Sequence, residues 1–207
     1  MGRSVVALVS GGVESLGLVV RLLRSFDRVV PVYIRCGLRW ESAELWWLRR
    51  WLGELRHPRL RPLVILELPV RSIYGRHWSV GRGSVPSRTS RDAAVYLPGR
   101  NVLLLSVAAI YASQRGIGRL ALGTLGSNPF GDATPRFFRQ LSNSLQQALG
   151  KPIQIMTPLR RFTKAHVVGS NQPWHLTFSC LQPRGRQHCG RCNKCAERQR
   201  AFRAVEK

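Results

Sequence analysis

The passage that most constrains this chain runs from Val5-Val6-Ala7-Leu8-Val9 through Ser10-Gly11-Gly12-Val13-Glu14-Ser15 into Leu16-Gly17-Leu18-Val19-Val20-Arg21-Leu22-Leu23. A short β-branched run, an abrupt glycine pair and apolar residues at helical spacing read as strand, tight turn and helix. Such a turn is an anion site. Glycine lets the backbone approach a phosphate, and the unpaired N–H groups at the helix start, aided by the helix dipole, favour negative charge. Ser10 and Ser15 add hydroxyl donors to the same turn.

Downstream the chain keeps alternating strand and helix patterns. Val29–Ile34 reads as a second strand, and Arg39 to Leu55 as a helix carrying Trp40, Trp46, Trp47 and Trp51, a packing or dimer face rather than a base-stacking platform. Leu63 to Leu68 is a third strand, followed by an aperiodic stretch from Pro69 to Ala93 that predicts a long, partly mobile loop. Pro98-Gly99 forces a turn before the apolar helix Val102 to Ser113 and places Arg100 and Asn101 at its start, where they meet a carboxylate or phosphate. Strand Arg119–Thr124, the polar loop Ser127–Asp132, a helix from Pro135 to Leu149, strand Ile153–Met156 and a short helix opened by Thr163-Lys164-Ala165 complete the series. This alternation predicts an α/β fold, a parallel sheet with helices on both faces and ligands at the carboxyl ends of the strands. The glycine turn and the loops after Ile34, Thr124 and Met156 are therefore expected on one rim.

Charge narrows the partners. Among 207 residues, 33 Lys and Arg face 10 Asp and Glu, a formal net charge of +23, while the hydrophobic share of 44% is that of a globular protein. A surface of this kind attracts polyanions, whether nucleotides or nucleic acid, although arginines scattered over a solvated face give the same total. No apolar run approaches the ~20 residues of a membrane span, and no signal-peptide pattern opens the sequence, so the expected location is the cytoplasm. Cys180, Cys189, Cys192 and Cys195, spaced C-x8-C-x2-C-x2-C, suit a closed structural zinc site; paired disulfides and an iron–sulfur cluster are the competing readings. His188 is surplus beside four sulfurs, and Cys36, alone in sequence, reads as a buried apolar thiol.

Ser-Gly-Gly-x-acid-Ser after the first strand resembles the pyrophosphatase (PP) loop of adenylating ATP pyrophosphatases. With Leu97-Pro98-Gly99-Arg100-Asn101, Thr157-Pro158-Leu159, Lys164-Ala165 and the four cysteines in this order, almost the whole chain resembles the 7-cyano-7-deazaguanine synthase (QueC) family. The resemblance implies a Rossmann-like, adenine nucleotide alpha hydrolase-like domain over residues 1–167 and a small zinc-binding segment over residues 168–207. It also implies a ligase that takes 7-carboxy-7-deazaguanine, ATP and ammonia to the nitrile through an acyl-adenylate, as a homodimer. ATP would sit on Ser10, Gly11, Gly12, Val13, Glu14 and Ser15; Lys164 and Arg100, with magnesium (Mg2+), would neutralise the α-phosphate; Gly99, Arg100, Asn101 and Asp132 would face the substrate; the four cysteines would hold zinc (Zn2+).

The departures from the family pattern gather at the presumed substrate rim. Glu14 replaces Asp, Cys36-Gly37-Leu38-Arg39-Trp40 half keeps a Tyr-Gly-Gln-Arg-His motif, Asn128–Asp132 replaces a Ser-Gly-Tyr-Pro-Asp loop, His166 stands where an acid follows Lys-Ala, and the stretch from Val168 to Thr177 is short. They leave open a paralogue that adenylates another carboxylate or a protein, and a transfer-RNA-modifying member of the wider group, which the charge suits. A non-catalytic zinc-knuckle binder of nucleic acid is the remaining alternative.

Overall fold

The structure is a computed structural model and describes residues 2–81, 83–168 and 172–205. Five parallel strands form its sheet: β1 (Ser4–Leu8), β2 (Arg28–Arg35), β3 (Val64–Glu67), β4 (Arg119–Leu122) and β5 (Gln154–Met156), in the order β3-β2-β1-β4-β5. Strand β1 is central and pairs with β2 from Ser4↔Arg28 and with β4 from Val6↔Leu120. Winding therefore runs outward in both directions from β1, and the reversal between β1 and β4 opens a crevice at their carboxyl ends.

Side chains along β1 alternate between two buried layers, as the two-residue period of a strand requires. Val5, Ala7 and Val9 pack with α1 (Val13–Ser25) and α2 (Glu41–Leu55), whereas Val6 and Leu8 pack with α4 (Arg100–Ser113) and α5 (Pro135–Leu149); α3 (Arg71–Tyr74) is a single turn. Thr134 starts α5 by accepting a hydrogen bond from Phe137 N, Pro135 takes the first helical position, and Gly150, in a left-handed conformation, ends it. Two further helices, α6 (Lys164–Val168) and α7 (Asn193–Arg203), lie against each other near the carboxyl edge of the sheet. No helix among the described residues is long and apolar enough to cross a membrane.

One expectation is overturned. The stretch from Pro69 to Ala93 is not a free-standing loop: Val70, Ser79 and Val80 are buried, Trp78 stacks on Trp40 with ring centroids 5.8 Å apart, and Ser87 bridges to Cys192. Its aperiodic sequence satisfies its backbone through a distant segment, with Asn193 donating to Pro86 O and Ser90 O, and no local pattern encodes such partners. The tryptophans behave as a packing set. Trp51 and Trp40 are buried, Trp46 meets Trp47 edge-on, and Arg50 and Arg186 stack against Trp46. Residues 169–171, just past the expected boundary at residues 167 and 168 and within the short stretch from Val168 to Thr177, lie outside the described residues.

Candidate active site and metal centre

A cleft of about 650 Å3 opens at the carboxyl ends of β1, β2 and β4. Its floor is the glycine turn. Gly11 adopts φ +76°, and a Cβ there would lie 3.1 Å from Glu44 O; a Cβ on Gly123, just past β4, would lie 2.8 Å from Glu14 O. The turn is thus pressed between α2 and β4 at the two places where only glycine fits. Gly12 begins α1 without a side-chain cap, and the N–H groups of Gly11 to Ser15 have no acceptor among the described residues. Ser15 Oγ accepts from Ser10 N at 2.8 Å and lies 3.0 Å from Ser10 Oγ, which fixes the entry to the helix. Unpaired N–H groups at a helix start beside an open cleft are what an anion-binding turn is built from.

One wall of the cleft is an ion-pair chain. Lys164 Nζ lies 2.7 Å from Glu14 Oε1 and 2.5 Å from Glu197 Oε1, and Lys194 Nζ lies 2.7 Å from Glu197 Oε2. Burial opposes the charge on Lys164, but the two carboxylates outweigh it and raise its pKa above the ordinary lysine value, so it stays a cation. Burial likewise opposes the charge on Glu197, yet Lys164 and Lys194 bring its pKa down to about 2. The opposite wall carries Glu44, whose carboxyl is pushed up to about 7 by burial although Arg100 and the Tyr33 hydroxyl pull it back. Glu41, one turn earlier, accepts from Cys36 N at 2.5 Å and Gly37 N at 3.0 Å and so clasps the turn between β2 and α2.

Behind the cleft stand the four cysteines, their sulfurs all within 4.8 Å of one another. Cys189 Sγ and Cys195 Sγ are 3.9 Å apart, close to the ~3.8 Å that tetrahedral zinc with ~2.3 Å bonds requires. Backbone donors already point at the sulfurs: Leu181 N at Cys192 Sγ (3.4 Å) and Cys189 N at Cys180 Sγ (3.3 Å), the bonds that stabilise thiolates around a metal. The residues therefore fit zinc, and a closed set of four sulfurs would leave such an ion no open position for chemistry. His188 is not part of the set, because its Nε2 accepts from Ser179 N and its ring packs on Phe178. The centre is tied to the glycine turn by one segment, Phe178 N donating to Gly11 O at 2.8 Å just before Cys180.

The family model described as "Queuosine biosynthesis protein QueC" matches residues 4–206. The chain belongs to the QueC family. A 7-cyano-7-deazaguanine synthase from Desulfitobacterium hafniense is 29% identical over 213 residues, covering 100% of this chain and 94% of the relative. A second, from Leptospira interrogans, is 28% identical over 95% of this chain and 85% of its own length. A solved structure described as a predicted subunit of tRNA methyltransferase from Methanocaldococcus jannaschii covers 80% of this chain and 72% of its own, with a TM-score of 0.51 and 18% identity, a likeness of fold.

Of the residues that the QueC resemblance singles out, Ser10, Gly12, Glu14, Ser15, Arg100, Asn101 and Lys164 line the cleft, and Gly11 and Val13 shape the turn beneath it, Val13 with its side chain buried. Gly99 and Asp132 do not line it. Gly99 supplies the left-handed residue, φ +68°, from which α4 starts, and Asp132 accepts from Asn101 N at 3.2 Å while its backbone oxygen accepts from Asn101 Nδ2 at 2.8 Å. Asp132 thus anchors the helix start that presents Arg100. The rim is built from Ile34 and from the Thr124–Phe130 region as expected; the loop after Met156 reaches the cleft only through Lys164 and Ala165. Cys36 is buried at 3% exposure, and burial pushes its thiol up to about 11, which leaves it un-ionised. Sequence reasoning missed Tyr33, Glu44 and Glu197. Nothing local marks them, because each matters through a partner on another element.

Proposed function

We propose that this chain is an ATP-dependent ligase that converts 7-carboxy-7-deazaguanine and ammonia to 7-cyano-7-deazaguanine. The observation that carries the reading is the row of unclaimed N–H groups from Gly11 to Ser15, opening on a cleft that also holds Arg100 and Lys164. In this reading the substrate carboxylate attacks the α-phosphorus of ATP and the glycine turn holds the pyrophosphate as it leaves. Ammonia then displaces AMP to give the amide. A second ATP activates the amide oxygen, and loss of AMP and a proton leaves the nitrile. Arg100 offsets the charge that builds on the α-phosphate, and Lys164 keeps its positive charge because Glu14 and Glu197 flank it. Magnesium would be carried chiefly by the phosphates, with Glu14 the carboxylate nearest the turn; zinc on Cys180, Cys189, Cys192 and Cys195 would brace the segment that binds Gly11. No protein nucleophile is needed, so positioning does much of the work.

The setting is the cytoplasm, where thiols stay reduced and available to a metal. The assembly is a homodimer, which would cover Val102 and Ile110, apolar residues exposed on α4. A second reading, a paralogue that adenylates a different carboxylate, draws on the Glu14–Lys164 pair, since the one-carbon-longer acid adds a second carboxylate to a lysine that Glu197 already holds. Mass spectrometry of the purified protein with ATP, magnesium, ammonium and 7-carboxy-7-deazaguanine separates them. Amide and nitrile products are expected; AMP released only with some other carboxylate would reassign the acceptor.

A further inference from the structure

Two charged side chains in the cleft keep hydrogen-bonding capacity that no described residue uses, and they are complementary. Glu44, on the first turn of α2, is only 9% exposed yet lines the cleft; its Oε2 accepts from the Tyr33 hydroxyl at 2.8 Å, and no described residue donates to its Oε1. Glu41 differs, since both of its oxygens are spent on backbone N–H groups. Arg100 enters from α4, and its Nε–H is buried with no acceptor. The two charged side chains feel each other electrostatically but form no ion pair among the described residues. Leaving the buried Arg100 Nε–H without an acceptor is costly, and Glu44 Oε1 beside it in the cleft keeps unused acceptor capacity, so a bound group that offers an acceptor next to donors would serve both.

The filling group must offer an acceptor beside hydrogen-bond donors. A guanine-type base has that edge: a carbonyl oxygen, a ring N–H and an exocyclic amino group in a row. We propose that Arg100 and Glu44 form the base-reading edge of the cleft, Arg100 donating to the carbonyl oxygen and Glu44 accepting from the ring N–H and the amino group, with Tyr33 as the positioning residue that holds Glu44. The proposal rests on the reading above, in which the acceptor is a 7-deazaguanine, and names how this site tells it from other carboxylates. The remaining guanidinium N–H groups of Arg100 stay available to a phosphate.

A carboxylate that accepts two N–H bonds must be ionised. Burial holds the Glu44 carboxyl near 7, with Glu41 on its own helix adding to the rise and Tyr33 from β2 and Arg100 from α4 opposing it. Base binding at about pH 6 therefore expels close to one proton, and at about pH 8.5 almost none.

The test is isothermal titration of the full chain with four probes. These are 7-carboxy-7-deazaguanine, its analogue lacking the 2-amino group, 7-deazaguanine without the carboxylate, and a non-hydrolysable ATP analogue, each in buffers of different ionisation enthalpy. Wild type is expected to prefer the amino-bearing base by roughly 10–100-fold and to release a proton at low pH. Glu44→Gln should lose both the preference and the proton while binding the ATP analogue within about twofold of wild type. Tyr33→Phe should move the pH midpoint of base binding upward, because the lost hydrogen bond had favoured the ionised acid; a purely structural tyrosine would leave the midpoint in place. Three outcomes overturn the proposal: Glu44→Gln retaining the preference, the ATP analogue losing affinity while the base does not, or neither base binding at all. Failure of the acceptor reading looks different. There 7-deazaguanine binds through Glu44 and the added carboxylate contributes nothing.

Discussion

Glu197→Gln tests the ion-pair chain that flanks the glycine turn. Glu197 accepts Lys164 Nζ at 2.5 Å and Lys194 Nζ at 2.7 Å, and its side chain is 27% exposed, so solvent screens the charges little. Its pKa stands at about 2 against an ordinary 4.5, which corresponds to about 3 kcal/mol in favour of the folded, ionised form. Because the folded value is the lower one, that stability is complete above about pH 4.5 and is lost as the pH falls toward 2. Glutamine keeps the shape and removes the charge. At neutral pH the variant should melt about 6–12 °C below wild type, taking ~2–4 °C per kcal/mol for a chain of this size. Near pH 3 the free-energy gap should shrink to about half, as the unfolded acid is protonated there while the folded one is still largely ionised. Thermal and urea denaturation of both proteins across this range decide the matter. A gap that is the same at pH 7 and pH 3 would refute the electrostatic account and leave only lost packing.

Cys192→Ser should lower bound zinc and melting temperature together, read by elemental analysis and calorimetry, since a structural metal contributes directly to folding; metal lost with an unchanged melting curve would remove the structural role. Gly123→Ala places a Cβ 2.8 Å from Glu14 O and forces the turn to move, so the affinity for ATP should drop by about tenfold or more, measured by titration, for a stability cost of ~1–3 kcal/mol. Full nucleotide affinity in that variant would mean that the close approach of β4 does not shape the turn.

How much of this was legible before folding depends on how far apart the cooperating residues lie. The strand–turn–helix around Ser10–Ser15 and the C-x2-C-x2-C run could be read directly, because a local period, a glycine pair and a ligand spacing each act within a few residues. The aperiodic stretch from Pro69 to Ala93 was misread as loose for the converse reason: its order comes from Trp40, Cys192 and Asn193, far away in the chain. Asp132 was expected to face the substrate, and the structure instead engages its carboxylate and its backbone oxygen with Asn101 at the start of α4, a long-range pairing that no local pattern announces.

The amino-acid order by itself determined the parallel α/β architecture, the glycine turn and the four-sulfur centre, all of which follow from patterns that survive in any arrangement of the remaining chain. Only the tertiary structure decided that Lys164 is shared between Glu14 and Glu197, and that Glu44 and Arg100 face one cleft without pairing. The physical reason is that ionisation and hydrogen bonding depend on through-space distance and on the exclusion of water. Both are settled only when α1, α2, α4, α6 and α7 close around the carboxyl ends of β1 and β4.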